Sequence, residues 1–256
     1  MLWTPLEQFQ IISLFSIKLF SLDFSITNLV LINVIVLIFF SLIVSFASSN
    51  FDSLEKTSFF FIPNSWQVLI ESVYETSSQL LFDNINEEGE KYFPFISVLF
   101  SFILFSNLIG LIPYSFTVTS HLIVTFTLSL AVFIGVNIIG FQKHGLNFFS
   151  LFLPANTGFF LALVLVPIEL VSYIAKPISL GVRLFINLMA GHTLLKVIVG
   201  FAWSMLLLED FLSFAHVFPL LVLVILMGLE LAVALIQAYV FTILTCIYLN
   251  DSINLH

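Results

Sequence analysis

Charge is what this sequence has least of. Only 9% of its 256 residues are Asp, Glu, Lys or Arg, while 60% are hydrophobic. Mean hydropathy is +1.16. So little charge excludes a soluble domain under a solvated surface and points to a polytopic membrane protein. Cysteine occurs once, at Cys246, which excludes an internal disulfide and suggests no cysteine-based metal site. Basic residues number seven against fifteen acidic, for a net charge of −8. That balance argues against a nucleic-acid partner. Much of the acidity falls in one stretch, residues 83–90, which reads as a solvated loop. Arginine occurs once, at Arg183.

What is present is a series of apolar runs. Residues 1–25 are mixed and read as an interfacial helix. Residues 26–47 carry no charge and are long enough to span, since a helix needs about 20 apolar residues. Residues 64–88 differ. Trp66, Leu69, Ile70, Val73, Tyr74, Leu80 and Leu81 recur at three- and four-residue steps, with Glu71, Glu75 and Gln79 on other faces. That is an amphipathic helix lying in the membrane interface or against a partner. Pro63, Asn64 and Gln67 read as its capped start, and Gly89 as its end. Residues 95–112 and 121–141 form a spanning hairpin across a short turn.

Residues 155–208 and 214–249 are the last two apolar segments, separated by Glu209 and Asp210. As one helix the first would reach roughly 80 Å, against a hydrocarbon core of ~30 Å. Either it breaks, with Pro177 the natural point, or it lies strongly tilted. With three spans before residue 142, Lys56, Lys91 and Lys143 share one side, and the positive-inside rule makes that side matrix or cytoplasm.

The chemistry concentrates in these last segments. A guanidinium stays protonated when buried. At membrane depth it costs at least about 2.5–3.5 kcal/mol on insertion scales. Glu169, Lys176 and Arg183 stand seven apart, so on a helix they make one stripe, which Asn187 continues. Glu230 and Gln237 are also seven apart. If the segments fold back at Glu209–Phe211, Arg183 comes level with Gln237, and His192 with Glu230. Glu169 then lies at the Asp251 end. The result is a His–Glu pair nearer the turn, a fixed cation flanked by Asn187 and Gln237, and a carboxylate nearer the open end. His and Glu exchange protons and Arg does not, which suits two proton paths separated by a positive barrier.

Plainer readings compete. Glu169 and Lys176 could form a local ion pair, and His192 could simply hydrogen-bond within the bundle. Asn107 is either a channel group or interhelical glue, and His121 either an aqueous ligand or an interfacial histidine. Asn107, His121 and Lys176 stand as candidate channel-lining residues. No metal site is expected beyond inhibitory zinc at His192 or His121. Gly181, Gly191, Gly228 and Ala232 read as close-packing positions.

The stretch KPISLGVRLFINLMAGH at 176–192 and the stretch ELAVALIQAYVF at 230–241 together resemble the a subunit of F-type ATP synthases. The Trp66 helix and SNLIGLIP at 106–113 fit the same family. The resemblance implies an all-α membrane protein with one transmembrane helix, an amphipathic interfacial helix, a transmembrane hairpin and a long tilted helical hairpin. It settles the long segment in favour of tilt. It implies a stator face against a rotating ring of c subunits, with two proton half-channels. Arg183 matches the stator arginine, Glu169 a carboxylate of the matrix-side path, and His192 with Glu230 the intermembrane-side pair. Asn187 and Gln237 accompany them as proton-translocation residues. Ile186 stands where many members carry a small residue.

The resemblance further implies no cofactor and no catalytic chemistry in this chain. Its partners would be the c-ring, peripheral-stalk and other membrane-sector subunits, and lipid. His192 with Glu230 resembles mitochondrial and alpha-proteobacterial members. The first twenty residues hold only Lys18 as a base, so a mitochondrion-encoded subunit of the inner membrane is expected. The alternatives are a proton- or sodium-coupled secondary transporter and a structural subunit of a respiratory complex.

Overall fold

The computed structural model describes residues 7–16, 18–19, 22–23, 25–48, 65–112, 115–145, 147–148, 158–206 and 217–254. Six α-helices dominate: α1 (Asn28–Ser48), α2 (Ser65–Ile85), α3 (Phe93–Gly110), α4 (Leu122–His144), α5 (Phe159–Leu206) and α6 (Val217–Ile253). All but α2 are long and apolar enough to cross a membrane. In hydrocarbon every backbone amide must be satisfied within its own segment, so uncharged runs of this length fold as helices. The chain is an all-α polytopic membrane protein.

The first residues differ from expectation. Instead of an interfacial helix, the chain makes a 3-10 turn at Glu7–Phe9 and two small antiparallel pairings. Ser13–Phe15 pairs with Ile26–Thr27, and Lys18–Leu19 with Leu22–Asp23. The mixed polar and β-branched composition there gives a helix no continuous apolar face. Asn28 ties this segment to α1: its Oδ1 accepts from Ile12 N at 3.2 Å and its Nδ2 donates to Gln10 O at 3.0 Å.

α2 carries its apolar positions on one face. Ser77, Leu80, Leu81 and Ile85 are buried, and the helix packs on α6, α3 and α1. Its outer face holds Glu71, whose Oε1 accepts from Gln67 Nε2 at 2.7 Å. Pro63 and Asn64 lie outside the described residues. A 3-10 stretch, Asn86–Tyr92, follows in place of further α-helix. Gly89 is buried there, and a β-carbon would meet Leu81 Cδ2 at 2.8 Å, so the turn folds tightly back onto α2.

α5 decides between the two readings of the long segment. It is a single helix of 48 residues with Pro167 and Pro177 inside it, so the chain does not break at Pro177. At 1.5 Å per residue its length is about 72 Å. Neighbouring helices make this tolerable. Gly181 of α5 lies against the backbone of α4, where a β-carbon would stand 2.7 Å from Ser129 Oγ and 3.0 Å from Thr125 O. Leu180, Leu184 and Leu188 fill the same inward face and join the main core with Ile96, Ile103, Val132, Phe241 and Leu249.

α5 and α6 run antiparallel. The turn between them, including Glu209–Phe211, lies outside the described residues. Lys91 and Lys143 line one cavity of about 610 Å³ with Tyr92, Gln142 and Ile253. His144 Nε2 lies 2.8 Å from Ile253 O. The start of α3 and the ends of α4 and α6 therefore share one face of the molecule, here the lysine end. Lys56 lies outside the described residues.

Gly181→Val is expected to destabilise the bundle by about 1–3 kcal/mol, the usual penalty for overpacking. Gly135→Val is the control, because nothing lies within 4 Å of a β-carbon there. Thermal stability of the purified protein, followed by size-exclusion chromatography after heating, checks the difference.

Candidate functional site

The site is built where α5 and α6 cross. α5 brings an inward face of leucines and an outward stripe of exposed residues: Ser179, Arg183, Ile186, Ala190, Leu194 and Val197. Arg183 is the one charged residue of that stripe. Among the described residues it makes no hydrogen bond or ion pair. Its cation thus stands on an apolar surface of membrane depth, turned away from the bundle.

Three cross-helix polar contacts lie beside it. His192 Nδ1 is 3.6 Å from Glu230 Oε1, with only 15% and 8% of the side chains exposed. Asn187 Nδ2 donates to Gln237 Oε1 at 2.8 Å. Lys176 Nζ donates to Asp251 Oδ2 at 3.3 Å. The expected His192–Glu230 level is present. The expected Arg183–Gln237 level is not: Gln237 pairs with Asn187, one turn further on. Residues 176–192 of α5 are matched by 230–251 of α6, so the arms do not run residue for residue. Helices that cross cannot keep the register of an ideal hairpin.

The His192–Glu230 separation is ion-pair reach but longer than a hydrogen bond. Glu230 leans on the α5 backbone at Gly191, where a β-carbon would stand 2.7 Å from its Oε1. Gly191 therefore leaves room for the carboxylate, a role that its reading as a close-packing position understated. Several buried polar atoms have no hydrogen-bond partner among the described residues, including His192 Nε2, Glu230 Oε1, Gln237 Nε2, Asn107 Oδ1, Ser106 Oγ, Thr119 Oγ1 and His121 Nε2. They contrast with Thr242 and Thr245, whose hydroxyls return to carbonyls of their own helix at 3.1 and 2.9 Å. Buried polar atoms without protein partners are normally satisfied by water.

Asn107 is fully buried in α3, and its Nδ2 donates to Ala234 O of α6 at 3.2 Å. It is interhelical glue through one atom, with the other left over. His121 caps the start of α4, its ring stacked on Phe116 at 4.9 Å. Burial holds the pKa of its imidazole below the ordinary value. Among the described residues no three His, Cys, Asp or Glu stand together as a metal site.

Glu169 has no hydrogen bond or ion pair among the described residues. Lys176 is taken by Asp251, so the local Glu169–Lys176 pair does not form. Sequence reading passed over what surrounds Lys176. Its Nζ lies 5.4 Å from the Tyr173 ring centre and 5.0 Å from that of Tyr248. Tyr173 OH donates to Asn137 Oδ1 at 2.6 Å. The available signal was Tyr173, spaced four from Glu169 and three from Lys176 on the polar stripe.

The model of the ATP synthase A chain family matches residues 28–250. This chain belongs to that family. It is 54% identical over 253 residues to ATP synthase subunit a of Pylaiella littoralis, covering 99% of each chain. It is 49% identical over 255 residues to ATP synthase subunit a of Chondrus crispus, covering 99% of this chain and 97% of the other. Marchantia polymorpha has a similar subunit a, 48% identical over 256 residues, covering 99% of both. The family match takes in every residue of the α5–α6 constellation from Glu169 to Gln237, and Asn107 and His121 besides.

The geometry predicts a crosslinking pattern. With Cys246 replaced, cysteine pairs at 192 and 230 and at 187 and 237 are expected to close readily in membranes. A pair at 183 and 237 is expected to close at least several-fold more slowly. Band shifts on non-reducing gels measure all three.

Proposed function

We propose that this chain is the stator subunit of the membrane sector of an F-type ATP synthase, carrying protons past a rotating ring of c subunits. The observation that carries the reading is Arg183. A fixed guanidinium in the middle of an exposed apolar stripe is not tolerable against lipid. It needs a partner surface that brings a negative charge to membrane depth. A ring of helices, each with one intramembrane carboxylate, supplies that charge repeatedly as it turns.

The proton path then follows from what each group can do. His192 and Glu230 form the titratable pair of one half-channel, with Asn107, Ser106, Thr119 and His121 supplying buried polar atoms that have no protein partner among the described residues. Glu169 serves the other half-channel, toward the lysine end, which is the matrix side on the positive-inside rule. Asn187 and Gln237 hold α5 to α6 between them. A ring carboxylate that meets Arg183 is favoured in its ionised form, because an opposite charge lowers its proton affinity. Arg183 therefore releases the proton on one side and blocks a direct passage to the other. The membrane potential contributes about 2.3 kcal/mol per proton per 100 mV. ATP chemistry belongs to other subunits, and this chain uses no cofactor. A steep tilt of α5 and α6 along the ring accommodates their length. The peripheral stalk anchors the chain, in the mitochondrial inner membrane.

Arg183→Ala is expected to abolish both proton-driven ATP synthesis and ATP-driven pumping while the complex still assembles. Arg183→Lys is expected to lose most of both, because an ammonium sheds its proton when desolvated and a guanidinium does not. Acidification by vesicles that carry the assembled complex checks this. Near-normal pumping with alanine would falsify the assigned role. His192→Ala removes one titratable relay of a half-channel and is expected to slow turnover on the order of a hundredfold, the low end of the usual range for a lost proton-transfer group. Initial rates of acidification at saturating ATP measure it.

A further inference from the structure

The Lys176 site holds a cation within reach of a proton carrier. Lys176 and Glu169 are seven residues apart on the uninterrupted α5, so they share a face, with a rise of about 10.5 Å between them. Tyr173 lies between them. Glu169 is the only acid in α5. An ammonium free to extend along that face would hold Glu169 ionised. A carboxylate pinned in one state does not relay protons.

The structure keeps that ammonium elsewhere. Asp251, near the end of α6, lies 3.3 Å from Lys176 Nζ. The faces of Tyr173 and Tyr248 stand 5.4 and 5.0 Å from it, a cation–π arrangement on two sides. The cage is itself braced. The Tyr173 hydroxyl donates to Asn137 Oδ1 at 2.6 Å, and the Tyr173 ring lies 5.0 Å from Phe133 on α4. Asn137 Nδ2 is fixed by Phe133 O at 2.8 Å. The carbonyls at the α6 C-terminus favour a cation here as well. Lys176 and Asp251 remain 29% and 41% exposed, so the pair adds little to stability. Its value lies in where it places the charge.

We propose that Asp251, Tyr173 and Tyr248 are positioning residues that sequester the Lys176 ammonium and so leave Glu169 free to gain and release protons. This rests on the reading of Glu169 as the lysine-end carrier. Asp251→Asn releases the ammonium toward Glu169. Proton-driven ATP synthesis is then expected to fall about tenfold, the effect of one pKa unit on a carrier's occupancy. The double variant Lys176→Gln/Asp251→Asn, with no stray cation, is expected to recover most of that loss, and Asp251→Glu to show little loss at all. A purely structural role for Asp251 predicts no recovery in the double variant.

The experiment uses vesicles with the assembled complex, its content normalised on native gels. An unimpaired Asp251→Asn, or a double variant as impaired as the single, overturns the proposal. If Asp251→Asn does not assemble, Tyr248→Leu opens one wall of the cage and carries the same expectation: impaired alone, restored by Lys176→Gln. Glu169→Gln separates the two ideas. Normal synthesis there would remove the carrier reading itself, whereas loss there with no rescue at Lys176 would sink only the sequestration.

Discussion

A charge that cannot be neutralised, held at membrane depth, constrains everything around it. Arg183 is exposed on α5, without a protein partner among the described residues. Two conditions follow if such a group is to be kept. It must be presented at a fixed height, and the surface around it must be covered by something other than lipid. The first condition is met by the inward face of α5. Leu180, Leu184 and Leu188 are each no more than 2% exposed, and Gly181 rests on the α4 backbone. These contacts fix the rotation of the helix, and so which way Arg183 points. The second condition falls to the proposed ring.

The polar contacts between α5 and α6 form a graded series about that charge. Toward one end His192 meets Glu230, both titratable. One turn from Arg183, the Asn187–Gln237 pair is neutral and joined by one hydrogen bond. Toward the lysine end Lys176 meets Asp251, an ion pair with no net charge. The only uncompensated fixed charge in the middle of the series is therefore Arg183. That ordering is what a barrier between two proton paths requires. A second free cation on the same stripe would blur the place where a passing carboxylate is ionised.

Much of this was legible in sequence, and for physical reasons. Apolar runs locate helices because lipid leaves the backbone no alternative. The seven-residue spacing of Glu169, Lys176 and Arg183 marks a stripe because helix geometry is fixed. The level of His192 with Glu230 could be read by folding the chain back on itself. Cross-helix register beyond that single level could not. It depends on the crossing of α5 and α6, on the prolines inside α5 and on the reach of long side chains. Gln237 therefore went to Asn187, and Lys176 to Asp251. The segment before α1 was misread because its short strand pairings are made by contacts, such as those of Asn28 with Gln10 and Ile12, that no periodicity announces.

Gly191 and Gly181 show how backbone packing serves the ionisable groups. Both are glycines on α5, yet they serve opposite needs. At Gly181 the missing side chain brings two helices together, and the neighbouring atoms are the backbone and hydroxyl of α4. At Gly191 it makes room for one group, the Glu230 carboxylate. A carboxylate lodged against backbone with an unpartnered oxygen is held in place without being neutralised by a bonded cation, since His192 stays at 3.6 Å. It can thus exchange a proton without first breaking a tight ion pair. Packing thus sets where the Glu230 carboxylate stands and which way Arg183 points.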